Sequence, residues 1–352
     1  MIFLGKVANR FMDALHILVT AANAVLPIVL LILLGYWLRQ KNFLSADFVK
    51  VGNKLVFKIC LPCSLFINVY DVAGFEIIRW DVVLYCVVMV LVVCLLGIFL
   101  AITTTKITTR RGAVAQSVFR SNMAIIGLSL ASALGGDEAV AMTSVVSAFT
   151  VALFNILAVF VLSMFAEGAG SGKTDYRKIV MNIVKNPLII GITLGMVCLL
   201  LRSLQSKLFG EPVFLLKRDM KFVYTVLNNL KSLASPLALI VMGGQFTFSA
   251  VKGMWKEIVS GTLGRVVMSP VVGIGFAVLL SKLGLFQCDS SVYPALIALF
   301  GSPTAVASAI MAGQMGSDEQ LATQLVVWTS IGSIFTVFLT VVILMSTGLL
   351  AV

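Results

Sequence analysis

Apolar residues run along this chain in blocks of about twenty, the length of a helix that crosses a membrane, and short polar stretches separate them. Ten such blocks can be drawn. The first runs from about Leu15 to Leu38 and holds Pro27 and Gly35; the second, about Phe48 to Val69, holds Pro62. The third is about Val82 to Ile102. The fourth, Ala113 to Leu134, is interrupted by the polar run Arg120-Ser121-Asn122, and the fifth is Val140 to Phe165. After a Gly-rich, charged loop from Glu167 to Lys178, the sixth span is predicted at about Ile179 to Leu201. An amphipathic connector, Arg202 to Lys221, leads to the seventh at Phe222 to Gly244. The eighth is about Ile258 to Leu280, the ninth Val292 to Gly313 with a break at Ser302-Pro303-Thr304, and the tenth Leu321 to Thr347.

The two breaks belong to a repeat. Sliding the sequence by 181 positions lays Phe119–Val146 on Phe300–Val327 with ten of twenty-eight positions identical and no gap, Asp137-Glu138 meeting Asp318-Glu319. Pro27 and Gly35 are answered by Pro187 and Gly195, again eight apart, and Pro62 by Pro236. The predicted fold is therefore an all-α integral membrane protein of ten transmembrane helices in a 5+5 repeat. Residues 1–166 and 179–352 are the halves, and 167–178 the linker. Five is odd, so the second half crosses in the opposite sense, an inverted repeat of the kind found in secondary transporters.

Composition agrees. With 60% hydrophobic and 12% charged residues and a mean hydropathy of +1.07, the chain has too little polar surface for a water-soluble domain. The 26 basic residues outnumber the 15 acidic ones but stand singly at the ends of apolar blocks. That pattern fits anionic membrane lipid and not nucleic acid. Loops after spans one, three, five and seven carry twelve Lys or Arg against nine on the other side, which places the linker in the cytoplasm and both termini outside. The expected location is the cell membrane, with the first span serving as its own signal. Cys60-Leu-Pro-Cys63 has no second pair or histidine beside it and reads as packing, so no metal or cofactor is expected. The linker's EGAGSGKTD lacks the first glycine of a phosphate-binding loop.

Candidate chemistry gathers at the breaks. At 1.5 Å per residue, Arg120–Asn122 and Ser302–Thr304 lie near mid-membrane, where an arginine costs about 3 kcal/mol or more unless it faces protein or water. Arg120 either aims at an anionic group beside half-helix N-termini or satisfies carbonyls loosened by the break. Ser121, Asn122, Ser302 and Thr304 supply hydrogen bonds, and Pro303 opens its helix by removing a donor. Gln116, Gln245 and Gln314 line a cavity or bond a neighbouring helix. Lys54 and Lys231 read as snorkelling to headgroups, and His16 as interfacial. Lys58, deeper than Lys54 by a turn, and Arg265, about two turns into span eight, hold lipid, substrate or structure. All fifteen acidic residues fall in loops or within a turn of a span end, so a cation would meet Arg120 with nothing to balance it. The expected function is secondary transport of a small organic anion, a mono- or dicarboxylate, as an efflux carrier or facilitator. A membrane ligand sensor on the same fold and an anion channel are the alternatives. No nucleophile, base and orienting group can be assembled into an enzyme site.

Several stretches also resemble one family. LLGYWLRQKNFL with CLPCSLF, FRSNMAIIGLSLASALGG, KNPLIIGITLG, LASPLALIVMGGQF and SPTAVASAIMAGQMGSDEQLA are similar to successive motifs of the auxin efflux carrier family, whose plant members are the PIN-FORMED carriers. The resemblance implies the crossed-helix fold of bile-acid symporters and some sodium/proton antiporters. It further implies a dimerising scaffold of spans 1, 2, 6 and 7, a homodimer in all. Spans 3–5 and 8–10 would be a transport domain that moves like an elevator, with crossover positions at Asn122 and Pro303. Plant members usually have proline at both crossovers; this chain has Asn122 at the first. Its short linker is similar to bacterial members, which are associated with malonate, malate and other small carboxylates.

Overall fold

The computed structural model describes residues 19, 26, 27, 29–71, 79–166, 181, 185–246, 248–289 and 291–350. His16 and the linker at 167–178 lie outside them. Eleven helices are named here. They are α1 (Val29–Gln40), α2 (Ala46–Tyr70), α3 (Trp80–Thr104), α4 (Thr108–Phe119), α5 (Leu128–Met164) and α6 (Pro187–Phe209). Then come α7 (Lys221–Gln245), α8 (Val251–Lys282), α9 (Val292–Gly301), α10 (Ala307–Gln314) and α11 (Glu319–Ser346). Among the described residues seven of these are long and apolar enough to cross a membrane, and α1 and α9 are shorter apolar helices. Large side chains such as Leu95, Phe99, Leu208, Val271 and Phe335 cover the outside, as lipid contact requires.

Helix limits follow local chemistry. α6 begins at Pro187, not Ile179, because the Asn186 side chain accepts from Leu188 N and the proline takes a first-turn position where no donor is needed. Residues 179, 180 and 182–184 lie outside the described set. The helix runs on to Phe209, absorbing half of the expected connector, and stops at Gly210, whose φ is +80°. α5 is bent sharply at Gly135-Gly136, where Gly136 takes a φ of +58°.

Glycines set the closest approaches between helices. A Cβ on Gly35 of α1 would stand 2.1 Å from the Ile240 carbonyl oxygen of α7, and one on Gly243 of α7 2.0 Å from that of Ile32 of α1. These two helices therefore touch backbone to backbone. On α6 the same is true of Gly195, whose Cβ would stand 2.9 Å from the Phe66 oxygen of α2. Gly35→Val is expected to lower the unfolding midpoint, since overpacking costs about 1–3 kcal/mol. Gly275→Ala, with nothing within 4 Å of its Cβ, is the control that should leave the midpoint in place.

Candidate functional site

Two helices end at the predicted breaks, and their continuations meet. α4 stops at Phe119 and α9 at Gly301, and both continue in extended backbone: Arg120 has φ −86° and ψ 97°, Ser302 φ −62° and ψ 150°. The extended pieces meet as an antiparallel bridge between Ser121 and Thr304. Asn122 N donates to Pro303 O at 2.8 Å, and Ala305 N donates to Arg120 O at 3.0 Å. A π-helical turn flanks each break, Met123–Gly127 beyond the first and Ile297–Gly301 before the second. Such turns release backbone carbonyls from the regular ladder.

Those carbonyls need donors, and the donor is Arg265. It lies on a third π-helical turn, Gly264–Met268 in α8, and is 1% exposed. Its Nε donates to Ser302 O at 2.8 Å, Nη1 to Val118 O at 2.9 Å, and Nη2 to Leu299 O at 2.8 Å and Phe300 O at 3.3 Å. One guanidinium thus binds both breaks. The sequence offered this carbonyl-satisfying role to Arg120; the structure gives it to Arg265.

Arg120 is left for other work. Although only 3% exposed, its guanidinium meets just Met311 Sδ at 2.6 Å and Asn155 Oδ1 at 2.7 Å, and among the described residues no carboxylate pairs with it. It lines a cavity of about 440 Å³. Ser121 and Asn122 line it too, and Ala305–Ala307 present the start of α10 to the same space. The Asn122 Nδ2 is buried without a hydrogen-bond partner. α2 and α7 add Ser64, Asn68, Lys231 and Ser235 to the same lining. Lys231 is half-buried there and does not simply snorkel to headgroups. No acidic side chain is among the lining residues.

The other predicted residues go elsewhere. Ser302 and Thr304 are packed behind the cavity, Thr304 Oγ1 donating to Ser117 O at 2.9 Å, and Pro303 serves through its carbonyl. Gln116 bonds a neighbouring helix, its Nε2 donating to Ser308 O of α10 at 2.9 Å. Gln245 and Gln314 line a second cavity of about 470 Å³ with Arg39, Lys50, Asn53, Lys54 and Glu319. Lys58 is exposed on α2. Sequence reasoning missed Ser64, Asn68, Asn155, Lys231 and Ser235. A weak signal existed: Ser64 with Asn68, and Lys231 with Ser235, are polar pairs four apart, so each pair lies on one helix face, beside the prolines Pro62 and Pro236.

Known proteins agree with this architecture. A family profile described as membrane transport protein matches residues 20–341. An uncharacterized transporter of Methanocaldococcus jannaschii, MJ1031, is 24% identical over 268 residues, covering 75% of this chain and 81% of the relative. The solved structure of the sodium proton antiporter MjNhaP1 from the same organism, at pH 8, is similar with a TM-score of 0.55 and 13% identity. That match covers 99% of this chain and 100% of the antiporter. At that identity the likeness is one of fold. With most of its length matched, the chain belongs to the membrane transport protein family, the auxin efflux carrier-like family whose motifs its sequence resembles.

Proposed function

We propose that this membrane transporter carries a small organic anion, a mono- or dicarboxylate, by alternating access at the crossover. The observation that carries the reading is the lining of the 440 Å³ cavity: Arg120 without a carboxylate, Lys231 on a different helix, an unpaired Asn122 Nδ2 and no acidic residue. Its size suits a small ligand. The first turn of α10 adds amide dipoles aimed at negative charge.

The ten crossings are α1, α2, α3, α4 with the first part of α5, and the rest of α5; then α6, α7, α8, α9 with α10, and α11. Glycine contacts support the inverted repeat. Gly35 answers Gly195 at an offset of 160, and Phe66 answers Ile240 at the offset of 174 set by Pro62 and Pro236. The contact of Gly35 with Ile240 is then the mate of Gly195 with Phe66. Helices α1, α2, α6 and α7 form the fixed scaffold, and the crossover moves with the remainder. Arg120 travels with the crossover and Lys231 stays, so translocation separates the two charges that hold the substrate. An inside-negative potential favours exit of the anion by about 2.3 kcal/mol per charge per 100 mV.

Thermal unfolding of the purified protein against mono- and dicarboxylates, including an indole acid, tests the reading. A ligand at about 100 times its Kd stabilises by roughly 2.7 kcal/mol. Selective stabilisation by one anion class is the expected result; stabilisation by neutral or cationic compounds alone would overturn it. In the same assay Lys231→Gln should weaken dicarboxylates about tenfold, roughly 1.4 kcal/mol, and monocarboxylates much less, because only a dianion has a second charge for it. Equal loss for both classes would remove Lys231 as the second contact.

A further inference from the structure

Glu319 opens α11, and its carboxylate faces the second cavity. Oε1 accepts from Asn53 Nδ2 of α2 at 2.7 Å, and Gln245 at the end of α7 lines the same cavity. α10 makes room for it: a Cβ on Gly313 would stand 2.3 Å from the Glu319 carboxyl carbon. A side chain seated against α10 thus bonds to α2. If α2 and α7 are fixed and α10 and α11 move, as the transport reading above holds, this contact ties the two bodies together at one face.

The same parts occur twice. The 181-residue offset lays Glu319 on Glu138. For Asn53 the offset of 174 gives Leu227, but that count ignores the π-helical turn Val56–Cys60 between Asn53 and Pro62. A π turn adds one residue to a helix. α7 is regular α-helix from Asn228 to Pro236, so with the extra residue removed Asn53 falls on Asn228. Carboxylate and amide are both repeated. Yet Glu138 is exposed and Asn228 half-buried, and neither side chain has a hydrogen-bond partner among the described residues.

We propose that these are alternate latches. Glu319 with Asn53 closes one face in the state seen here, Glu138 with Asn228 closes the other after the crossover moves, and only one pair is joined at a time. The 440 Å³ space borders Lys231, three residues from Asn228 on α7, and Glu319 and Asn53 line the other cavity.

The chain has a single histidine but six cysteines, so zinc binding by each engineered pair is read against that of the parent and the single variants. Two histidines share a zinc ion only when both nitrogens come within about 2.0–2.1 Å of it. The purified full chain carrying Glu138→His with Asn228→His is titrated with zinc alone by calorimetry, beside each single variant and beside Asn53→His with Glu319→His. Both residues of the first pair lie outside the packed core, so these variants fold. The expected result is that the Glu138/Asn228 double variant binds zinc at least tenfold tighter than either single. Adding Gly313→Ala, whose methyl group displaces the Glu319 carboxylate, should tighten it severalfold more by releasing the opposite latch. Affinity equal to that of the singles, with and without Gly313→Ala, would overturn the latch. The anion panel on the same double variant separates the two ideas. Anion stabilisation without paired zinc binding removes the latch and keeps the carrier, and paired zinc binding without any anion response does the reverse.

Discussion

Arg120→Ala is expected to weaken anion binding by roughly 30-fold or more while leaving the purified protein folded. The magnitude comes from removing one partner of a desolvated charge pair, about 2–5 kcal/mol. The retention of fold comes from the way the crossover is built. Arg120 takes part in it through its backbone, its N–H donating to Gln116 O and its carbonyl accepting from Ala305 N, and both bonds survive truncation of the side chain. What truncation removes is a guanidinium held by Asn155 Oδ1 and Met311 Sδ at the wall of the cavity. One orphaned Asn155 oxygen costs about 1–3 kcal/mol, which a folded domain tolerates. Thermal titration with the stabilising anion reads both quantities at once: the midpoint without ligand reports the fold, and its rise with anion reports the site. Arg120→Lys keeps the charge without the planar fork and should fall between. A variant with an ordinary midpoint and full anion response would move the binding charge away from Arg120.

Much of this arrangement could be read before any coordinates, because it rests on one-dimensional signals. Block length located most of the described helices, though α6 begins and ends eight residues later than its block and α8 begins seven earlier. The 181-residue offset found both breaks, since a polar triplet inside an apolar run stands out against its surroundings. Asn186 and Pro187 also mark the true start of α6, yet they sit inside an apolar block, and length outweighed the cap. The assignment of roles at the crossover was not legible. Arg120 and Arg265 are the same residue type, at similar depth and nearly equal burial. Which one reaches the free carbonyls depends on π-helical turns that leave no periodic trace and on partners such as Val118, 147 residues from Arg265. Lys231 was misread for a related reason. Position along a helix gives depth, whereas direction depends on what the neighbouring helices leave open, and here they leave a cavity.

The Arg265→Ala variant is expected not to fold, and this is the larger of the two effects on the protein itself. Truncation leaves the carbonyls of Val118, Leu299 and Ser302 without the donor they now have; Phe300 O retains Ser269 Oγ at 3.3 Å. Each orphaned buried carbonyl costs about 1–3 kcal/mol, so the three together rival a typical total stability of about 5–15 kcal/mol. No nearby side chain can replace a group that addresses both breaks from one position. Arg265→Lys separates structure from binding. Its ammonium keeps the charge but lacks the fixed fork, so it reaches fewer of the acceptors and should yield protein with a clearly lowered midpoint. Because Arg265 does not line the cavity, whatever lysine variant folds should hold the anion nearly as well as the parent. Yield of monodisperse protein and the unfolding midpoint are the measurements. An alanine variant that unfolds within ~2 °C of the parent would show that water or a neighbour takes over the carbonyls. A lysine variant that folds normally but fails to bind would instead return Arg265 to the substrate. The two arginines therefore make opposite predictions in one assay: Arg120 mainly changes the response to anion, with at most a modest fall in midpoint, and Arg265 changes the midpoint at nearly constant response.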